Sequence, residues 1–255
     1  MKRFAFLLAA LALLASCSQE LRTEKLEFTE DIPFHEGSQF FDNLNYDIEL
    51  PTAGFSKAAI AQMRREIRTA CLGEGYTDFS GSLDELKKDL IEVHKEAYVT
   101  ANQELLKELE IEEDEAVTLN WGSDVTGSFD EVYGDYINYK IEGYEYYGGA
   151  HGVSHQGAIV LDRKTGKAVP YETFTQGISR ERLMELLDQY KCDRLAEEIG
   201  NDFNPEEVFY VDTIEPSERF SVSEEGITFY YDPDELAPYV FGGIEIRIPW
   251  DALKY

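Results

Sequence analysis

The residue pattern predicts an α+β fold with largely antiparallel sheets, three main helices and two small subdomains. One observation carries this. Segments of helical period and segments of period two fall into separate runs, in the order strand, two helices, strands, one helix, strands. A doubly wound α/β fold would instead alternate them one by one.

The elements follow in order. Leu44–Leu50 alternates through Leu44, Tyr46, Ile48 and Leu50 before Pro51, which predicts a strand with one buried face. Residues 54–71 place Ile60, Met63, Ile67 and Cys71 at helical spacing, with Ser56 as N-cap and Gly73 as stop. Ser82-Leu-Asp-Glu85 is a capping box that opens a long helix to Leu109. Its expected apolar stripe is Leu83, Leu86, Leu90, Val93, Ala97, Ala101, Leu105 and Leu109, with His94 on the polar side. Strands are expected at 117–121, 123–129 and 135–141, with turns or bulges at Gly122, Gly127 and Gly134. A strand at 156–161 ends in the turn Asp162-Arg-Lys-Thr-Gly166-Lys. One helix is expected over 179–199, then strands at 219–222, 227–231 and 244–248.

The chain begins with Met1-Lys-Arg3, an apolar run from Phe4 to Ala15, then Ser16-Cys17. Two positive charges, a short apolar run and a small residue before a cysteine form a secretory signal, well short of the ~20 residues of a membrane span. Leu14-Ala15-Ser16-Cys17 resembles a bacterial lipobox. The resemblance implies an exported lipoprotein of the cell envelope, at the outer membrane or cell surface, anchored through acyl chains on Cys17. Residues 1–16 are then the signal peptide and 17–30 a polar lipidated tether. The body divides near residue 145, into 31–145 and 146–255, each large enough to bury a core.

Charge is lopsided, with 51 Asp and Glu against 23 Lys and Arg, a net of −28. Removing residues 1–16 takes Lys2 and Arg3 away and leaves −30. Such a field repels phosphate backbones, which argues against nucleic acid; it either keeps an exported protein soluble or speeds encounter with a cationic protein. Cys71 and Cys192 sit on predicted helices and are expected as buried free thiols.

Tyr146-Tyr-Gly-Gly-Ala-His151-Gly, Leu161-Asp-Arg-Lys-Thr-Gly-Lys167 and Tyr230-Tyr-Asp-Pro-Asp-Glu-Leu-Ala-Pro-Tyr239, followed by Gly242-Gly243 and Ile244–Pro249, resemble the RsiV-like domain of unknown function. That domain is the extracellular part of RsiV-type anti-sigma factors, accompanies some peptidoglycan deacetylases and occurs in stand-alone lipoproteins. The match covers 146–253, and residues 40–145 resemble its small companion domain more loosely. Because anti-sigma members bind lysozyme, the resemblance implies a lysozyme-like or other cationic protein as partner. The signalling role does not carry over, because the sequence shows neither a membrane span nor a sigma-binding segment.

In Gly148-Gly149-Ala150-His151-Gly152 the glycines permit a tight backbone that the imidazole can pin by bonding to nearby carbonyls. His151 and His155, on one strand face, stand some ~13 Å apart by strand rise, too far for one zinc. No metal or cofactor is expected. Gly152-Val-Ser154-His-Gln-Gly157 has the wrong spacing and context for a nucleophile elbow. Tyr133, Tyr136, Tyr139, Tyr144, Tyr146 and Tyr147 form an aromatic band leading into the His151 turn, open to two readings, cross-strand packing or a binding surface. The candidate binding residues are therefore His151, Tyr144, Tyr146 and Tyr147, in a non-catalytic binding protein. The alternative is an enzyme, or an enzyme's accessory, acting on peptidoglycan or glycan and centred on His151.

Overall fold

The computed structural model describes residues 20–200, 204 and 208–254. Cys17 and the apolar run before it lie outside the described residues. The fold is α+β, with two sheets and three helices of eleven residues or more.

A five-stranded sheet takes the order β1 (Arg22–Pro33), β2 (Phe41–Ala53), β3 (Trp121–Tyr133), β4 (Tyr136–Tyr146), β5 (Val153–Asp162). All its neighbours are antiparallel except β2 and β3. That parallel pair requires a crossover, which α1 (Lys57–Leu72) and α2 (Leu83–Leu109) supply. Both helices start as expected. Ser56 Oγ accepts the Ala59 N–H, and Ser82 with Glu85 closes a reciprocal capping box. Met63, Ile67, Leu86, Leu90 and Tyr98 bury against Leu44, Ile48, Ile137, Tyr139 and Leu161 of the sheet.

The second unit holds α3 (Arg180–Tyr190), α4 (Asp193–Ile199) and a three-stranded antiparallel sheet of β6 (Phe220–Val222), β7 (Gly226–Tyr231) and β8 (Ile244–Pro249). Leu183, Leu186 and Leu187 pack there on Phe220, Ile227, Phe229 and Ile246.

Four local expectations are corrected. The tether is ordered from residue 22, because Leu26, Phe28 and Ile32 alternate inward as β1 while Phe28 stacks on Tyr46 at 5.0 Å. Residues 117–120 are a loop, with Val117 fully exposed, and β3 runs unbroken through Gly122 and Gly127. The helix expected over 179–199 is two helices. Its apolar positions skip from Tyr190 to Leu195, five residues, where a helix repeats every three or four. The α2 stripe also moves by one position. Val93, Leu105 and Leu109 are exposed, while Tyr98 and Asn102 are buried and His94 turns inward. Asn102 is tolerated there because its Nδ2 donates to the carbonyls of Tyr98 and Leu119.

Both cores share one wall. On β5, Leu161 belongs to the helix-covered core and its neighbour Val160 to the other, as the alternation of a strand requires. Two polar ties fasten the units across it. Asn138 of β4 is buried, accepts the Val222 N–H at 3.0 Å and donates to the Val222 carbonyl at 2.7 Å and the Glu131 carbonyl at 3.1 Å. Asp232, just after β7, accepts the Gln156 N–H at 3.0 Å and faces His155 Nδ1 at 2.9 Å and the Arg219 guanidinium. Arg219 also reaches Glu235 at 2.6 Å. Burial acts to raise the Asp232 carboxyl, but hydrogen bonds from Arg219, His155 and the Gln156 amide outweigh it and hold the group below its ordinary value.

Asn138→Ala should lower unfolding free energy by about 2–4 kcal/mol, since both backbone groups of Val222 lose a buried partner. Urea titration checks this, and a variant within ~0.5 kcal/mol of the parent would show the tie to be dispensable.

Asp232→Asn should cost about 1–3 kcal/mol at neutral pH. A depressed folded value means that this stabilisation is present above the unfolded value of about 3.9 and is lost as pH falls through the folded one. The gap in urea midpoint between parent and variant should therefore narrow from pH 7 to pH 3. A gap that widens on acidification would contradict the assignment.

Candidate functional site at the turn between β4 and β5

Residues 147–152 join β4 to β5 in the same sheet, with Tyr144 opposite Ser154 and Glu145 opposite Val153. Gly148 and Gly149 take φ of 89° and 94°, conformations that favour glycine. Gly152 is buried, and a Cβ there would meet the Tyr144 ring at 2.4 Å and the Glu145 carbonyl at 2.5 Å. Only glycine lets the ring lie so close. Tyr146 donates its hydroxyl to the Gly149 carbonyl at 3.0 Å. His151 Nδ1 donates to the Gly152 carbonyl at 3.0 Å, and its ring packs on Tyr239 with centroids 4.7 Å apart.

Strand parity divides the candidates. Tyr144 and Tyr146 share one face of β4, and Tyr147 lies beyond the strand against Trp121, with ring centroids 4.8 Å apart. The structure thus brings His151, Tyr144 and Tyr146 together around one turn and sends Tyr147 toward the helix side. The remaining band members have structural tasks. Tyr133 stacks on Trp250, Tyr136 meets Phe174 edge-on, and the fully buried Tyr139 donates to the Glu49 carbonyl at 2.8 Å.

Around the turn the exposed apolar and aromatic side chains are Tyr144, Tyr147, His151, Val153, Tyr239 and Val240, the last 83% exposed. Residues 239–241 form a short 3-10 turn. Its start is held by Asp234, whose Oδ1 accepts the Tyr239 N–H at 2.8 Å. An aromatic and apolar rim beside acidic groups results. Tyr239 and Val240 were not among the expected site residues. The Ala-Pro-Tyr ending marked their segment, but no periodicity in the sequence places it beside residue 151.

The remaining polar side chains lie apart. His155 serves Asp232. His94 faces Asp42 at 3.4 Å and Tyr46 at 3.0 Å instead of solvent. No cluster of three or more His, Cys, Asp and Glu with metal-binding geometry occurs among the described residues. Cys71 and Cys192 are free and partly buried, and burial pushes the Cys71 thiol up to about 12, far from a reactive thiolate. A surface groove of about 670 Å³ runs along Lys88, Glu92, Lys95 and Glu96 of α2 and shares no lining residue with the rim. No helix among the described residues is long and apolar enough to cross a membrane.

Comparison with known proteins places these features. Residues 171–251, from the short turn before α3 through β8, match the family model described as a protein of unknown function, DUF3298. No curated protein matches the chain. The fold is similar to the crystal structure of a DUF3298 family member from Bacteroides fragilis NCTC 9343, with TM-score 0.79 and 21% identity over 93% of this chain and 94% of that one. It is also similar to a DUF3298 family protein from Pseudomonas aeruginosa PAO1, with TM-score 0.60 and 18% identity over 92% of this chain and 94% of that one. In its C-terminal segment by sequence, and over nearly its whole length by fold, the chain is similar to DUF3298 proteins, a family of unknown function.

Proposed function

We propose that the protein is a lipid-anchored, non-catalytic binding protein of the cell envelope that engages a cationic, lysozyme-like protein through the rim of the β4–β5 turn. The exposed group of Tyr144, His151, Tyr239 and Val240 on a chain of net charge −28 carries this reading. Tyrosine anchors supply rigid contact area, while unlike net charges raise the association rate. The RsiV-like reading of residues 146–255, with residues 31–145 as its companion domain, belongs to the same proposal. Packing of the His151 ring on Tyr239 makes the imidazole part of the rim's contact surface.

The N-terminus supports the anchoring. With Cys17 acylated, four residues separate the lipid from the start of β1, at most ~14 Å of extended chain. The body would then rest close against the bilayer. Cys17→Ser should release an unlipidated protein in soluble form, read by fractionation and mass spectrometry. A variant that stays firmly membrane-bound would refute the single-anchor reading.

Lysozyme and an unrelated basic protein should part company as salt rises. Surface plasmon resonance between low salt and ~0.15 M, where screening acts beyond about 8 Å, should show a slower on-rate but a surviving complex for lysozyme. The unrelated protein should dissociate completely. Tyr239→Ser should speed lysozyme dissociation tenfold or more with little change in on-rate. If lysozyme behaves like the control, the attraction is generic acidity and the partner assignment falls.

A further inference from the structure

A second concavity, about 340 Å³, opens on the helix-facing side of the five-stranded sheet, away from the rim. Its walls include the rings of Tyr46, Tyr76 and Tyr147, with His94, Ser123 and Glu145 as the polar groups. No lysine or arginine lines it. Behind His94 stands Asp42, only 1% exposed, whose two carboxylate oxygens accept no hydrogen bond. His94 Nδ1 lies 3.4 Å from its Oδ2, outside good hydrogen-bond geometry. A buried carboxylate so weakly partnered is uncommon, because desolvation penalises it heavily.

The polar groups form a chain that ends in the cleft. With the Nδ1 proton of His94 turned to Asp42, Nε2 accepts from the Tyr46 hydroxyl at 3.0 Å. Tyr46 Oη lies 3.4 Å from Ser123 Oγ. If Ser123 donates to Tyr46, its oxygen lone pairs and the Glu145 carboxylate are left as acceptors toward the cleft. The charges act in the same sense on the phenols. Tyr46 is raised first by burial, then by the charges of Asp42, Glu145 and Asp124. Tyr147 is pushed up to about 12 by burial and then by Glu145. Both phenols therefore stay neutral; Tyr46 is nearly buried with one ring face stacked on Phe28, so Tyr147, half exposed, offers the ring surface open to a cation.

We propose that this cleft is a binding site for a primary ammonium group on an apolar stem, with Glu145 and Ser123 receiving the ammonium protons and Tyr46, Tyr76 and Tyr147 flanking the stem. A metal ion is disfavoured by the walls, since Glu145 is the only carboxylate among the lining residues. The site stands apart from the rim, so failure of lysozyme binding leaves it intact. Two sources share the chemistry, a free alkylamine and a lysine side chain of a protein.

The test is an NMR titration of the protein with n-butylamine, with Nα-acetyl-lysine methylamide, and with the same lysine derivative acetylated at Nε. Both amines should shift the Tyr147 and Ser123 resonances, and Nε-acetylation should weaken binding tenfold or more. Glu145→Gln and Tyr147→Ala should each weaken it at least tenfold. Glu142→Gln, an equal loss of charge at an exposed position on the same strand, should change it less than twofold. Tighter binding of the lysine derivative assigns the site to protein side chains, and equal or tighter binding of butylamine assigns it to free amines. Equal binding of the acetylated probe, equal effects of Glu142→Gln and Glu145→Gln, or no saturable shift at all would overturn the proposal.

Discussion

Asn138 is the constraint on which the architecture rests. A five-stranded sheet with helices on one face still exposes the other face of β4 and β5, and the C-terminal unit covers part of it. Apolar contact from Val160 supplies the driving force, but contact alone is non-directional. The amide of Asn138 adds direction. It meets both the N–H and the C=O of Val222, so β6, only three residues long, is held on one side by β7 and on the other by a side chain. A buried amide left half-bonded would cost more than it gives, and here both ends are satisfied.

The placement of the candidate sites follows from the same wall. Side chains on successive residues of β4 point to opposite faces. Tyr144 and Tyr146 therefore go with the face that carries Asn138, while Glu145 goes with the face that carries Tyr139 and the helices. One short segment thus contributes to an exposed rim and, with Tyr147, to a separate cleft. The Asp232 network sits below the rim and ties β5 to the chain segment that leads into Tyr239.

Features that depend on local chemistry were legible in the sequence. Ser56, the Ser82–Glu85 box and Gly166, at φ 77°, act where they were expected, because caps and turns are decided within a few residues. The Asp162 carboxylate confirms it by accepting from Thr165 and Lys164 in the same turn. Long-range pairing was harder to read. The charges around Leu26, Phe28 and Ile32 hid β1, although Lys25 just before them bridges to Asp47 of β2 at 2.9 Å. On α2 the apolar Val93 and Ala97 drew the stripe one residue away from His94 and Tyr98. Nothing local says that a histidine will be drawn inward by a buried Asp42, or that Asn102 will cap Leu119. For the same reason the Gly-Gly-Ala-His turn was legible, while of the cleft's lining only Tyr147 stood out, as one of the tyrosine band.

The proposed recognition by the rim would depend on how little of it must be ordered when a partner arrives, since each freely rotating side chain immobilised on binding costs about 0.5–1.5 kcal/mol. Here the ordering is already done. Tyr146 is tied to Gly149, Tyr144 lies over Gly152, and His151 is fixed between a carbonyl and Tyr239. Asp234 adopts a left-handed φ of 67°, a region that aspartate tolerates better than most residues, and from there caps the turn that presents Tyr239 and Val240. The acidic body supplies attraction over a Debye length, and the preformed rim supplies contact at short range. Under the proposed function, charge would set how often a partner is met and the rim how long it stays, so the two could be altered separately.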